Sequence, residues 1–134
     1  MHTLGEEVAI ASDLAALHQL LLGERLSWTV EVAEGVGTLP VPALILQPLI
    51  ENALKFAGTT TGRGVVSVSA GRATDHLRIT INNSIGHASR QGTGRGLSMV
   101  RDRLRAVYGS GAELNTREVS DGYRATMILP DGRG

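Results

Sequence analysis

A chain of 134 residues with 42% hydrophobic and 19% charged side chains fits one globular domain, 1–134, and excludes a disordered segment. Thirteen basic and thirteen acidic residues cancel, so no whole-molecule field gathers nucleic acid or anionic lipid and any anion site has to be local. The absence of cysteine removes disulfides, cysteine–zinc ligation and a thiol nucleophile. Trp28, Phe56, Tyr108 and Tyr123 are the only aromatics, too few for a base-stacking platform. No apolar run approaches the roughly 20 residues of a membrane span, and MHTLGEEV is acidic where a signal peptide is basic; a soluble domain is expected.

Leu14, Leu17 and Leu21 recur at helical spacing between Val8 and Leu22, with Gly23 as a stop. Leu26 to Ala33 alternates as a strand, with Trp28, Val30 and Val32 on one face, before the turn-rich EGVGTLP. In VPALILQPLIENALKFAG, Leu46, Leu49, Ile50, Ala53 and Leu54 form a one-sided helical stripe, with Pro42 suited to the first turn and Gly58 to the end. Val65 to Ala70 and Leu77 to Ile81 alternate as strands. A polar, glycine-rich loop, Asn82 to Thr93, precedes a helix from about Gly96 to Tyr108, and strands Glu113 to Val119 and Tyr123 to Leu129 close the chain around the turn Ser120-Asp121-Gly122. This order predicts an α/β (α+β) two-layer sandwich, a mixed sheet of about five strands backed by three helices.

Three places carry polar chemistry. Glu51, Asn52 and Lys55 interrupt the apolar helix; Asn52 and Lys55 reach over one side of it. The Asn52 amide oxygen suits a hard cation such as Mg²⁺, and Lys55 offers a point charge to phosphate. Taken alone, a solvated helix end favoured by the macrodipole is the better account of them. Gly92, Thr93, Gly94, Arg95, Gly96 and Leu97 run directly into a helix, where backbone N–H groups can cradle an anion; a ligand-free loop is the plainer reading. The strand ending Asn82-Asn83-Ser84 can offer an amide to a purine edge, or simply make a turn.

LQPLIENALKFA, INNSIG, GTGRGLSMVRDRLRAVYG and YRATMILP, in that order, together resemble the catalytic ATP-binding domain of a sensor histidine kinase, in the LytS/YehU-like branch, over Leu4 to Pro130. The resemblance implies the Bergerat ATP-binding fold. It implies ATP as ligand, Mg²⁺ on Asn52, phosphate contacts from Lys55, and a loop of Gly92, Gly94 and Gly96 over the triphosphate, with Thr93, Arg95 and Leu97 beside it. Glu51 is a further candidate to orient or deprotonate the acceptor, unless it faces away from Asn52. The implied partners are a phosphoacceptor histidine domain and a response regulator, in the cytoplasmic part of a membrane-anchored kinase.

The departures from the family pattern are specific. Asn83 stands where an aspartate accepts the adenine amine, Ile85 and His87 fall where glycines follow, and Gly86 fits only with a gap. Tyr123 beside Gly122 replaces a threonine, and the stretch from Asn83 to Gly92 is short. None of His2, His18, His76 or His87 lies in a phosphoacceptor phrase; His18 reads as a half-buried packing residue. The chain is therefore expected to be a catalytic module, with Leu4–Leu22 the end of a helical neck. Arg101, Arg103 and Arg105 read as a solvated face, or as contacts to phosphate or a partner. A regulatory nucleotide binder and an anti-sigma serine kinase of the same superfamily are the rivals.

Overall fold

The computed structural model describes residues 1–85, 94–120 and 122–131, and the backbone alone of 94–96. The predicted two-layer α/β arrangement is the one observed: helices α1 (Leu4–Leu22), α2 (Gln47–Ala57) and α3 (Gly94–Tyr108) lie against a mixed five-stranded sheet. Its strands are β2 (Leu26–Val32), β4 (Gly64–Ala73), β5 (His76–Ser84), β6 (Glu113–Val119) and β7 (Gly122–Pro130), in the order β2-β4-β5-β7-β6. Strand β2 runs parallel to β4, as the crossover through α2 requires, and the other pairings are antiparallel. Two further strands, β1 (His2–Thr3) and β3 (Pro40–Val41), form a separate antiparallel ribbon. Strands of two residues have no periodicity to read, which is why TLP counted only as a turn. No helix among the described residues is long and apolar enough to cross a membrane.

Helix α1 starts ahead of Val8 because Thr3 and Glu6 close a capping box: Thr3 Oγ1 accepts the Glu6 N–H at 3.1 Å, and Glu6 Oε1 accepts the Thr3 N–H at 2.9 Å. Its buried face is Leu4, Glu7, Ala11 and Ala15. Of the leucines whose spacing marks this helix, Leu14 packs partly buried against the core, while Leu17 is 60% and Leu21 is 87% exposed. His18 is half-buried, with Nδ1 3.2 Å from the Leu14 carbonyl oxygen, as expected.

Pro42 does not open α2. The helix begins at Gln47 with Pro48 in its first turn, where the missing N–H is harmless; residues 42–46 form a turn in which Leu44 takes φ +60°. The stripe of Leu46, Leu49, Ile50, Ala53 and Leu54 is buried against Val66, Val68, Leu77, Ile79 and Ile81 in one core. The strands run beyond their predicted ends, so Asn82, Asn83 and Ser84 belong to β5 and not to a loop. Helix α3 begins at Gly94, ahead of the predicted Gly96, which puts Gly94, Arg95 and Gly96 in its first turn.

Candidate functional site

Helix α2 crosses the sheet so that Leu49, Asn52, Ala53 and Phe56 face Ile81 and Asn83 of β5 and Tyr123 and Ala125 of β7, with Leu97 of α3 closing one side. These residues line one narrow cleft with a free volume of about 20 Å³ and mostly apolar walls, about the room of a single water. Its two amides come from different layers. Register explains the sheet side: Ile81, Asn83, Ala125 and Tyr123 share the inward face, and β5 pairs Asn83 with Tyr123 and Ile81 with Ala125. At the end of that register the strands come very close, and a Cβ on Gly122 would overlap the Asn83 carbonyl oxygen. Gly122 therefore permits the approach that brings Tyr123 beside Asn83.

Asn83 is 8% exposed. Its Nδ2 donates to the Ser84 carbonyl oxygen at 2.9 Å, which turns Oδ1 away as an acceptor. Asn52 is half-buried, and its amide has no hydrogen-bond partner among the described residues. Both groups therefore retain hydrogen-bonding capacity. Among the described residues, two groups have displaced pKa values and neither lines the cleft: hydrogen bonds from the Thr3 backbone and side chain hold Glu6 below the usual carboxylate range, and burial pushes the Tyr108 phenol up.

The structure thus gathers three sequence candidates, Asn52, Asn83 and Leu97, into one place. It does not bring Glu51 or Lys55 with them: both side chains are exposed, and Glu51 Oε1 accepts from Gln47 Nε2 at 3.0 Å. Gly86, Gly92 and Thr93 lie outside the described residues, as does His87. Gly94, Arg95 and Gly96 form the helix turn leading to Leu97. Arg101, Arg103 and Arg105 of α3 are exposed, as a solvated face requires, and two of them also act as staples: Arg101 Nη2 donates to the Leu114 carbonyl oxygen at 3.2 Å, and Arg103 Nη2 donates to that of Ala43.

Sequence reasoning missed Leu49, Ala53, Phe56, Ile81 and Ala125 as cleft walls. The signal for the first three was present, since Leu49, Asn52, Ala53 and Phe56 are neighbours at helical spacing. Ala125 and Tyr123 required the β5–β7 register, which the sequence does not state.

The chain matches no protein-family model. It is 30% identical to sensor histidine kinase BtsS of Escherichia coli in an alignment 135 positions long, gaps included, that covers 96% of this chain and 24% of that protein. It is 29% identical to sensor histidine kinase YesM of Bacillus subtilis over 96% of this chain and 24% of the relative. For sensor histidine kinase/phosphatase LytS of Staphylococcus aureus the identity is 28%, over 96% and 25%. The chain spans about a quarter of the length of the curated relatives it matches. Among solved structures, the catalytic domain of histidine kinase ThkA superposes with a TM-score of 0.70 at 18% identity, covering 96% of this chain and 94% of that one. Histidine kinase AdeS of Acinetobacter baumannii gives 0.71 at 13%, covering 98% and 66%. The chain is a homologue of the sensor histidine kinases, matched to them along nearly its whole length, and it has the fold of a histidine kinase catalytic domain.

Proposed function

We propose that this chain is the ATP-binding catalytic domain of a two-component sensor histidine kinase, a protein-histidine kinase that binds Mg-ATP and passes the γ-phosphoryl to a histidine on another domain. One observation carries the reading: Asn52 of α2 and Asn83 of β5, far apart in sequence, converge on one apolar cleft with hydrogen-bonding capacity to spare. The character of the walls, apolar with a few oriented polar groups, is that of a site for a flat heterocycle, and Asn83 Oδ1 is an acceptor for an exocyclic amine; at about 20 Å³ the cleft has to widen to admit one. The related structure of ShkA, at a TM-score of 0.66, is a complex with AMPPNP, which supports a nucleotide as occupant of this fold.

The donor set also suits the metal. No group of three or more His, Asp or Glu side chains capable of holding an ion exists among the described residues. Mg²⁺ takes oxygen ligands and keeps several waters beside substrate phosphates; here the chain offers it the one neutral amide oxygen of Asn52, so most of its ligands would come from phosphate and water. Bound there, the ion would neutralise charge on the phosphates. Asn83 and the apolar walls would orient the base, and the first turn of α3 would direct backbone N–H groups toward an anion.

Calorimetric titration with ATP, with and without Mg²⁺, tests this reading. Binding should depend on Mg²⁺, and Asn52→Ala should remove most of that dependence. Unchanged affinity in Asn52→Ala removes the metal role, and absence of binding by the parent chain removes the nucleotide. Labelled ATP mixed with a phosphoacceptor fragment separates a kinase from a pure nucleotide binder, which leaves the histidine unlabelled.

A further inference from the structure

Glu7 lines no part of the cleft, yet it is only 2% exposed. Burying a carboxylate is costly unless its oxygens are used, and here they are. Oε2 accepts the Leu44 N–H at 2.9 Å, Oε1 accepts the Leu46 N–H at 3.3 Å, and His2 Nδ1 lies 2.7 Å from Oε2. Leu46 is the N-cap of α2 and supplies no side-chain cap of its own. Leu44 is a non-glycine residue at φ +60°, a conformation that L side chains adopt rarely. Its side chain is 45% exposed, so packing alone does not hold it there. On the other side of the same turn, Arg103 of α3 donates to the Ala43 carbonyl oxygen.

We propose that Glu7 is a positioning residue for the cleft: its grip on the Leu44 and Leu46 amides holds the left-handed turn that fixes where α2 begins, and so where Asn52 stands. Helix geometry gives the reason. A slip of one residue at the start of α2 advances it by about 1.5 Å and rotates it by about 100°, enough to turn Asn52 out of the cleft. Because Glu7 belongs to α1, the grip also makes the seating of Asn52 depend on where α1 lies. The inference rests on the nucleotide reading for its affinity readout and on the backbone alone for its second readout.

Glu7→Gln preserves shape but leaves one oxygen for two N–H groups and opposes an NH₂ to the other. Without the grip, a left-handed leucine is disfavoured by about tenfold. Roughly a tenth of the molecules then keep Asn52 seated, and the apparent Kd for Mg-ATP rises about tenfold. Amide exchange should quicken at Leu44, at Leu46 and in the first turns of α2, and not in β5. Adding Leu44→Gly, which takes positive φ without penalty, should return Kd to within about twofold although the carboxylate is still missing. A merely structural Glu7 would lower the melting temperature without that rescue.

Unchanged Kd and exchange in folded Glu7→Gln overturns the proposal, as does a raised Kd that Leu44→Gly leaves raised. If Glu7→Gln alone does not fold, the double variant decides: folding and binding support the grip, and failure to fold overturns it. If the parent chain binds no Mg-ATP, the nucleotide reading fails by itself. The exchange profile then judges the grip alone: quickening confined to 44–57 and reversed by Leu44→Gly supports it, and no quickening overturns it.

Discussion

Replacing Asn83 by aspartate, the residue expected there from the family resemblance, should destabilise this protein at neutral pH. The amide nitrogen is identified by its partner: only an N–H gains by lying 2.9 Å from the Ser84 carbonyl oxygen. Aspartate puts an oxygen in that place, 92% removed from solvent if its burial matches that of Asn83, which is 8% exposed. The loss of the bond leaves the carbonyl without this donor and sets a charge against it, a cost of about 3 kcal/mol. For a chain of this size that lowers Tm by roughly 10 °C. The sign of the pH dependence follows from the same contact. Burial beside a carbonyl raises the folded-state pKa of the new carboxyl above its unfolded value of about 3.9, so the folded state holds the proton more tightly. Below the unfolded value the protonated carboxyl can donate to Ser84 and the deficit is smallest; as pH rises through the folded-state value the deficit grows to its full size. Parallel melts of Asn83→Asp and the parent chain between about pH 3.5 and 8 measure this difference directly. A deficit that does not change across that range, or no deficit at pH 7, would mean that the amide faces the other way, and Asn83 would lose its place as the acceptor for a base.

Leu97→Ala removes a wall that is 7% exposed and should cost about 2–3 kcal/mol in urea unfolding while weakening nucleotide binding; a stable variant would show that α3 does not close the cleft. Gly122→Ala drives a Cβ into the Asn83 carbonyl oxygen, a backbone clash worth about 2–3 kcal/mol, and a change within about 0.5 kcal/mol would deny the close approach of β5 and β7. Thr3→Ala breaks the capping box of α1 at about 1 kcal/mol. Because Thr3 holds the Glu6 carboxyl low, Glu6 contributes stability that is present above its unfolded pKa and lost as pH falls through the folded one. Thr3→Ala removes the side-chain hydrogen bond and keeps the larger backbone one, so it should flatten the acid limb of the stability profile only in part, whereas Glu6→Gln should remove the share due to Glu6; an acid limb of unchanged slope in Glu6→Gln refutes the assignment.

The parts of the fold that were legible in the sequence are those where one side chain reports its own environment. Alternation in Leu77, Ile79 and Ile81 placed β5, and the stripe through Leu46, Leu49, Ile50, Ala53 and Leu54 placed α2 on its sheet. Asn52 stood out because an amide among these apolar neighbours needs a reason. The end of β5 was not legible, because Asn82, Asn83 and Ser84 have turn-forming side chains and only pairing with Tyr123, Arg124 and Gly122 makes them strand. Tertiary context overrode local preference there. The start of α2 failed for a related reason. Pro42 and Pro48 both satisfy the rule for a first helical turn, and what selects Pro48 is a carboxylate from a distant helix gripping the amides of Leu44 and Leu46.

Helix α1 shows how that remote contact becomes possible. Had the leucine spacing alone dictated the buried face, Leu17 and Leu21 would have joined Leu14 against the core and held α1 at the distance that large side chains impose. Ala11 and Ala15 lie inside instead, 4% and 0% exposed, and small residues let helices approach closely. Only at such a separation does a glutamate side chain from α1 reach across to the backbone ahead of α2. The alanines that look uninformative in the sequence are thus the condition for the Glu7 grip. Ala11→Leu should accordingly mimic Glu7→Gln: it would push α1 outward, loosen the Leu44 and Leu46 amides in hydrogen exchange, and weaken nucleotide binding with Glu7 still present. If Ala11→Leu folded with those amides as protected as in the parent chain, the spacing of α1 would not be what brings Glu7 to the turn.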